Sequence, residues 1–151
     1  MSTENTSNDN QLFSAMSQYV KDLSFENHAI PGSIEITTAP TIDLKLDINV
    51  AKISEENYFE VALHIKANAM HDKDALFTVE LVYAGIFRLQ SMSEEEQKLV
   101  LSAYCAGFLF PYARKIIADS TQDGGFQPLM MDPIDFERLY NKRISQSANL
   151  S

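Results

Sequence analysis

The chain has 151 residues, 45% of them hydrophobic and 22% charged, an ordinary globular composition that excludes wholesale disorder and fits one domain around one core. A formal net charge of −9 repels the phosphate backbone of nucleic acid and favours basic partners. The sequence has neither a basic-then-apolar leader nor an apolar run of about 18 residues, so a soluble, cytoplasmic protein is expected.

Residues 1–11, MSTENTSNDNQ, are polar and without apolar periodicity, and read as a disordered tail ahead of a single domain over 12–145. Residues 146–151 read as a second, flexible tail. The stretch YVKDLSFEN (19–27) places Tyr19, Leu23 and Phe25 on one face of a strand and Asp22, Ser24 and Glu26 on the other. By itself that acidic face is either solvated surface or a binding surface. The link NHAIPGSIEITTAP (27–40) holds Pro31, Gly32 and Pro40, which predicts a crossover over the sheet or its edge instead of a tight hairpin.

Period two returns in TIDLKLDINV (41–50), with Ile42, Leu44, Leu46, Ile48 and Val50 on one side. YFEVALHIKANA follows, with Phe59, Val61, Leu63 and Ile65 inward and Glu60, His64 and Lys66 outward. In ALFTVELVYAGIFRL, Phe77, Val79, Leu81, Tyr83 and Phe87 share one face and Thr78, Glu80, Val82 and Ala84 the other. Short polar breaks between these last three runs predict an antiparallel meander.

From Ser91 the period changes. Ser93 and Glu96 form a capping-box pattern ahead of a long helix in which Pro111 should cause a kink or a division. Leu99, Leu101, Tyr104, Cys105, Phe108, Leu109, Tyr112, Ile116 and Ile117 cover more than one stripe of this helix, so it must be enclosed on more than one side. DGG (123–125) ends it, and Asp132-Pro133 predicts the start of a closing helix over about 133–145 with Phe136, Leu139, Tyr140 and Ile144 on one side. Strands followed by helices make an α+β fold, a four-stranded antiparallel sheet with C-terminal helices on one face. The surplus apolar helix surface points to a homo-oligomer.

The sequence holds no Gly-rich phosphate loop, no cysteine pair and no His-Glu-x-x-His, and its three histidines are scattered, so neither a metal nor another cofactor is expected. Ser120, His71 and Asp119 make a catalytic trio only on paper, and an enzyme is not expected. The apolar neighbours of the lone Cys105 predict an inert buried thiol. Apolar and aromatic residues near flexible connections, Ile30, Pro31, Ile34, Phe126, Phe136 and Tyr140, either fill the core or line a groove for extended peptide.

YVKDLSFEN (19–27), GIFRL (85–89) and AYCAGFLFPYARKIIADSTQDGGFQPLMMDPIDF (103–136) resemble the SecB protein-export chaperones, over about residues 12–145. Gln127 departs from the family's Gly-Gly-Phe-Pro ending by separating Phe126 from Pro128. The resemblance implies a homotetramer, a dimer of dimers, that works in the cytoplasm without ATP or metal. It holds precursor proteins unfolded and delivers them to the SecA translocation motor. The resemblance also implies that Asp22, Glu26 and Glu80, with Thr78 at a usually apolar contact position, bind the basic zinc-binding C-terminal tail of SecA. It further implies that Val79, Leu81 and Tyr83 support the tetramer, and that Ile30, Pro31, Ile34, Phe126, Phe136, Leu139 and Tyr140 form a client groove. The alternative is an assembly protein that oligomerises and has no client groove.

Overall fold

The computed structural model describes residues 12–31 and 39–149. Four strands, β1 (Phe13–Asn27), β2 (Thr41–Ser54), β3 (Tyr58–His71) and β4 (Asp74–Leu89), form one antiparallel sheet in the order β1-β4-β3-β2. The meander of the last three strands is as predicted. Its turns place Asn57 and Asp72 at φ of 67° and 55°, a left-handed conformation that Asn and Asp tolerate better than most side chains. Because β1 and β2 are opposite edges, the link between them carries the chain from one side of the sheet to the other. Residues 32–38 of that link, Ile34 among them, lie outside the described residues, as do the segments 1–11 and 150–151.

β1 departs from simple alternation. Its register against β4 shifts between Ala15 and Ser17 and again between Val20 and Asp22, so Met16 and Lys21 are extra residues in bulges. Each bulge moves the following side chains to the other face. Tyr19, expected beside Leu23 and Phe25, instead pairs with Ala84 on the outward face, whereas Leu23 and Phe25 oppose Leu81 and Val79 on the inward one.

The long helix runs as Glu94–Leu99, a π-helical segment Val100–Cys105 and Ala106–Asp123. Ser93 caps it as predicted, its hydroxyl accepting from the Glu96 amide at 3.2 Å. Glu94, Glu95 and Glu96 add negative charge where the helix dipole favours it. Pro111 does not divide the helix. Proline removes one ladder donor, but Pro111 itself is exposed while Leu109, Phe110 and Ala113 hold the same turns against the core.

The closing helix, Phe136–Asn149, starts later and ends later than predicted. Asp135, not Asp132, receives the first turn: its carboxylate accepts from the Arg138 amide at 3.1 Å and its carbonyl from the Leu139 amide at 3.0 Å. No Gly or Pro follows Pro133, so no breaker stops the helix at 145 and residues 146–149 are helical.

The helices cover one face of the sheet. Val61, Leu63, Ile65, Val79, Leu81 and Phe87 meet Leu101, Cys105, Leu109 and Ile117 in a single buried cluster, each large side chain contributing roughly 1.5–3 kcal/mol. At its far end, Gly124 and Gly125 turn the chain back over β1, where Phe126 joins Phe25 and Phe77 with ring centroids 6.3 and 4.9 Å away.

Candidate functional site

The outward face of the sheet is fixed by register. Across β1 and β4, Asp22 opposes Val82, Ser24 opposes Glu80 and Glu26 opposes Thr78. The rows continue over β3 as His64, Lys66 and Asn68, and over β2 as Asp47, Lys45 and Asp43. Asp22, Glu26, Thr78 and Glu80 therefore occupy three consecutive rows of one face, with opposed side chains about 5 Å apart. Water-facing charge makes this side the counterpart of the helix-covered side.

Its polar groups are connected. Nε2 of His64 lies 2.5 Å from Oε2 of Glu80. Nε2 of His28 lies 3.0 Å from the Thr78 hydroxyl and 3.7 Å from a Glu26 carboxylate oxygen. The Thr78 hydroxyl donates its one proton to Oδ1 of Asn68 at 2.7 Å, so towards His28 it can only accept, and His28 donates. Thr78 is thereby committed to two neighbours. His64 was read as outward in the sequence, but neither its contact with Glu80 nor the place of His28 on this face was read there. The parity of His64 with Glu80 was the available signal, but the pairing of β3 with β4 that joins them is a long-range fact.

One end of the same face carries a second cluster. Tyr19 and Lys21 of β1 reach over β4 to Glu60 of β3: the Tyr19 hydroxyl donates to Oε2 and the Lys21 ammonium to Oε1, the latter at 2.9 Å. Burial, reinforced by the Glu60 carboxylate, pushes the Tyr19 phenol up to about 12. The hydrogen bonds from Tyr19 and Lys21 hold the Glu60 carboxyl below its ordinary range. Ala62 and Ala84 have outward parity at this end of the sheet and are nevertheless buried.

Val79, Leu81 and Tyr83 face the helix. The first two are fully buried, and Tyr83 stacks on Tyr112 of the long helix with centroids 6.3 Å apart while its hydroxyl donates to Gln18. Phe108, whose ring meets Phe13 and Phe87 with centroids 6.0 Å apart, and Tyr112 nevertheless remain 36% and 48% exposed. This is the surplus apolar surface that the sequence predicted.

The described residues among those expected along a groove do not gather in one place. Ile30 is 71% exposed and Pro31 exposed at the start of the crossover. Phe126 packs with the aromatic rings at the β1 edge. Phe136 is buried against Phe110, with centroids 5.5 Å apart. Leu139 and Tyr140, towards the β2 edge, line an open cavity of about 310 Å³ with Ile48, Ser102, Arg143 and Ile144. Arg143 also donates to the Leu46 carbonyl at 3.3 Å, tying the closing helix to β2.

Among the described residues, Cys105 and Asp119 are each committed elsewhere. Burial pushes the Cys105 thiol well up, away from the reactive thiolate. Asp119 is held by Lys115 at 2.7 Å instead of orienting a histidine. Among the described residues, no three His, Cys, Asp or Glu side chains are grouped to hold a metal ion, and no helix is long and apolar enough to cross a membrane.

The family described as preprotein translocase subunit SecB matches residues 6–147. The chain belongs to the SecB family. Protein-export protein SecB of Rickettsia felis is 49% identical over 99% of this chain and 100% of its own length. That of Rickettsia massiliae is 50% identical over the same shares. A SecB-like chaperone of Mycobacterium tuberculosis, solved in complex with a ChAD peptide from the HigA1 antitoxin, has the same fold, with a TM-score of 0.69 over 81% of this chain and 90% of that one at 18% identity. The SecB sheet, with its helices on one face, is therefore the architecture that presents both the acidic face and the exposed helix aromatics.

Proposed function

We propose that this SecB protein is an ATP-independent holdase that keeps precursor proteins unfolded in the cytoplasm and delivers them to the SecA motor for export. The observation that carries the proposal is the near-half identity, over whole lengths, with proteins named for protein export. The geometry supports the division of labour. Asp22, Glu26 and Glu80 offer a basic zinc-binding tail of SecA an attraction screened over about 8 Å at physiological salt, with Thr78 opposite Glu26 at one end of the patch.

Clients engage the cavity beside Leu139 and Tyr140 together with the apolar crossover residues Ile30, Pro31 and Ile34 and with Phe126, while Phe136, buried against Phe110, supports that surface from within. Binding through apolar area needs no bond making, and its affinity is what remains after the segment's ordering cost. The exposed Phe108 and Tyr112 meet a second copy in a dimer of dimers, supported from beneath by Val79, Leu81 and Tyr83.

The test is light scattering of an aggregating unfolded precursor in the absence of nucleotide. Stoichiometric chaperone suppresses the signal, and unchanged aggregation overturns the reading. Calorimetric titration with an unfolded apolar peptide separates the holdase from an assembly-only oligomer, which gives no binding heat.

A further inference from the structure

Two of the three outward carboxylates carry a histidine and the third does not. Glu80 has His64 at 2.5 Å and Glu26 has His28 at 3.7 Å, whereas Asp22 opposes Val82. Both imidazoles present Nε2 to their partners, since an ionised carboxylate only accepts and the Thr78 proton is already given to Asn68. Nδ1 is then the position that takes up a proton. Neutral imidazole donates one hydrogen bond and leaves the carboxylate its full negative charge. Imidazolium cancels that charge through a charge-assisted bond and adds a cation that repels a basic partner. Histidine is the side chain whose charge ordinarily changes between pH 5 and 8.

The other charged groups around each ring leave this logic in place. His64 is flanked by Asp47 and Lys45 from β2, Glu60 and Lys66 along β3, Glu80 from β4, and Asp22 in its own row on β1. His28 has Glu26 on its own strand's end and, through Thr78, the neutral Asn68. Acids and bases are mixed, and none but Glu80 and Glu26 is in contact with Nε2. Both histidines are about one-third exposed, so solvent protons reach them.

We propose that His28 and His64 gate the acidic face, competing with the basic partner for Glu26 and Glu80 when protonated and yielding both carboxylates when neutral. This rests on the reading of the face as a docking surface for SecA. Docking is then weaker in acid than at neutral pH.

The experiment measures affinity of the full-length protein for the zinc-loaded C-terminal peptide of SecA at pH 5.5 and pH 8 by calorimetry. It compares wild type with His28→Gln/His64→Gln, which keeps an amide donor at each place without a titrating group. Titration of the peptide is common to both proteins and cancels in the comparison. Wild type is expected to lose about 5-fold more affinity on acidification than the double variant. Equal losses overturn the gate. Asp22→Ala/Glu26→Ala/Glu80→Ala is measured alongside at pH 8. If that triple variant binds as tightly as wild type, the docking reading itself is overturned; if it binds weakly while the histidine variant titrates like wild type, only the gate is.

Discussion

Tyr19 and Glu60 belong to strands that are not neighbours, yet their side chains are hydrogen bonded across β4. The bond exists because the bulge at Lys21 changes the parity of β1, and it fixes that bulge from above together with Lys21. The same parity change lets Tyr19 and Asp22, three residues apart, share the outward face. A brace at one end of the sheet is thus tied to the aim of a carboxylate in the docking face.

Removing the phenol oxygen with Tyr19→Phe should cost about 1–3 kcal/mol, because Glu60 loses a donor while half-buried. Thermal melting is expected to fall by several degrees. A melt unchanged within one degree would show that Lys21 alone suffices for Glu60.

The brace also has a pH window. The Glu60 carboxyl is held low by Tyr19 and then Lys21, so its contribution is present above the ordinary carboxylate range and is lost as pH falls through the depressed value. The Tyr19 phenol is raised to about 12, so its contribution is complete below 10, the unperturbed value, and disappears as pH rises towards 12. Denaturant midpoints for wild type and Tyr19→Phe should therefore differ most between these limits and converge at both ends.

Gly124 has an ordinary φ of −75°, so its requirement is space, not backbone freedom. A Cβ there would lie 2.2 Å from Cζ of Phe25, whose ring is stacked on Phe77, and Asn27 holds the Gly124 carbonyl at 3.1 Å. Gly124→Ala is expected to destabilise by about 1–3 kcal/mol in chemical denaturation. Adding Phe25→Leu should recover part of that loss, and a purely additive double variant would refute the clash.

Thr121 is fully buried, and its hydroxyl accepts from the Leu129 amide at 2.9 Å while donating to a carbonyl of the preceding helical turn. Thr121→Val keeps the shape and strands the Leu129 donor, at about 1–3 kcal/mol. Thr121→Ser keeps the hydroxyl and should lose clearly less. Equal losses would mean that the methyl group carries the effect.

Within the proposed dimer of dimers, the exposed Tyr112 lies where a second copy's helix would pack. Tyr112→Glu buries a charge at that contact and should halve the mass seen by sedimentation from tetramer to dimer. An unchanged mass places the contact elsewhere.

Much of the fold was legible because alternation and helical spacing are local signals. The inward sets of β3 and β4, the cap at Ser93 and the turn at Gly124 follow from neighbours in the chain. The outward parity of Asp22, Glu26 and Glu80 was legible for the same reason. Where a local cue had two readings, packing chose: Pro111 stays within the helix because its flanking turns are held in the core, and Asp135 prevails over Asp132 as the cap.

The rest was decided only in three dimensions. Bulges insert one residue without changing composition, so the outward turn of Tyr19 has no local signature. Pairings such as His64 with Glu80, 16 residues apart, or Tyr19 with Glu60, 41 apart, depend on strand order, which alternation does not specify. By itself the sequence determined which side chains are apolar, which are acidic and on what period they recur. Tertiary structure decided which of them meet, because hydrogen bonds and ion pairs act over a few ångströms and only the folded sheet brings distant residues that close.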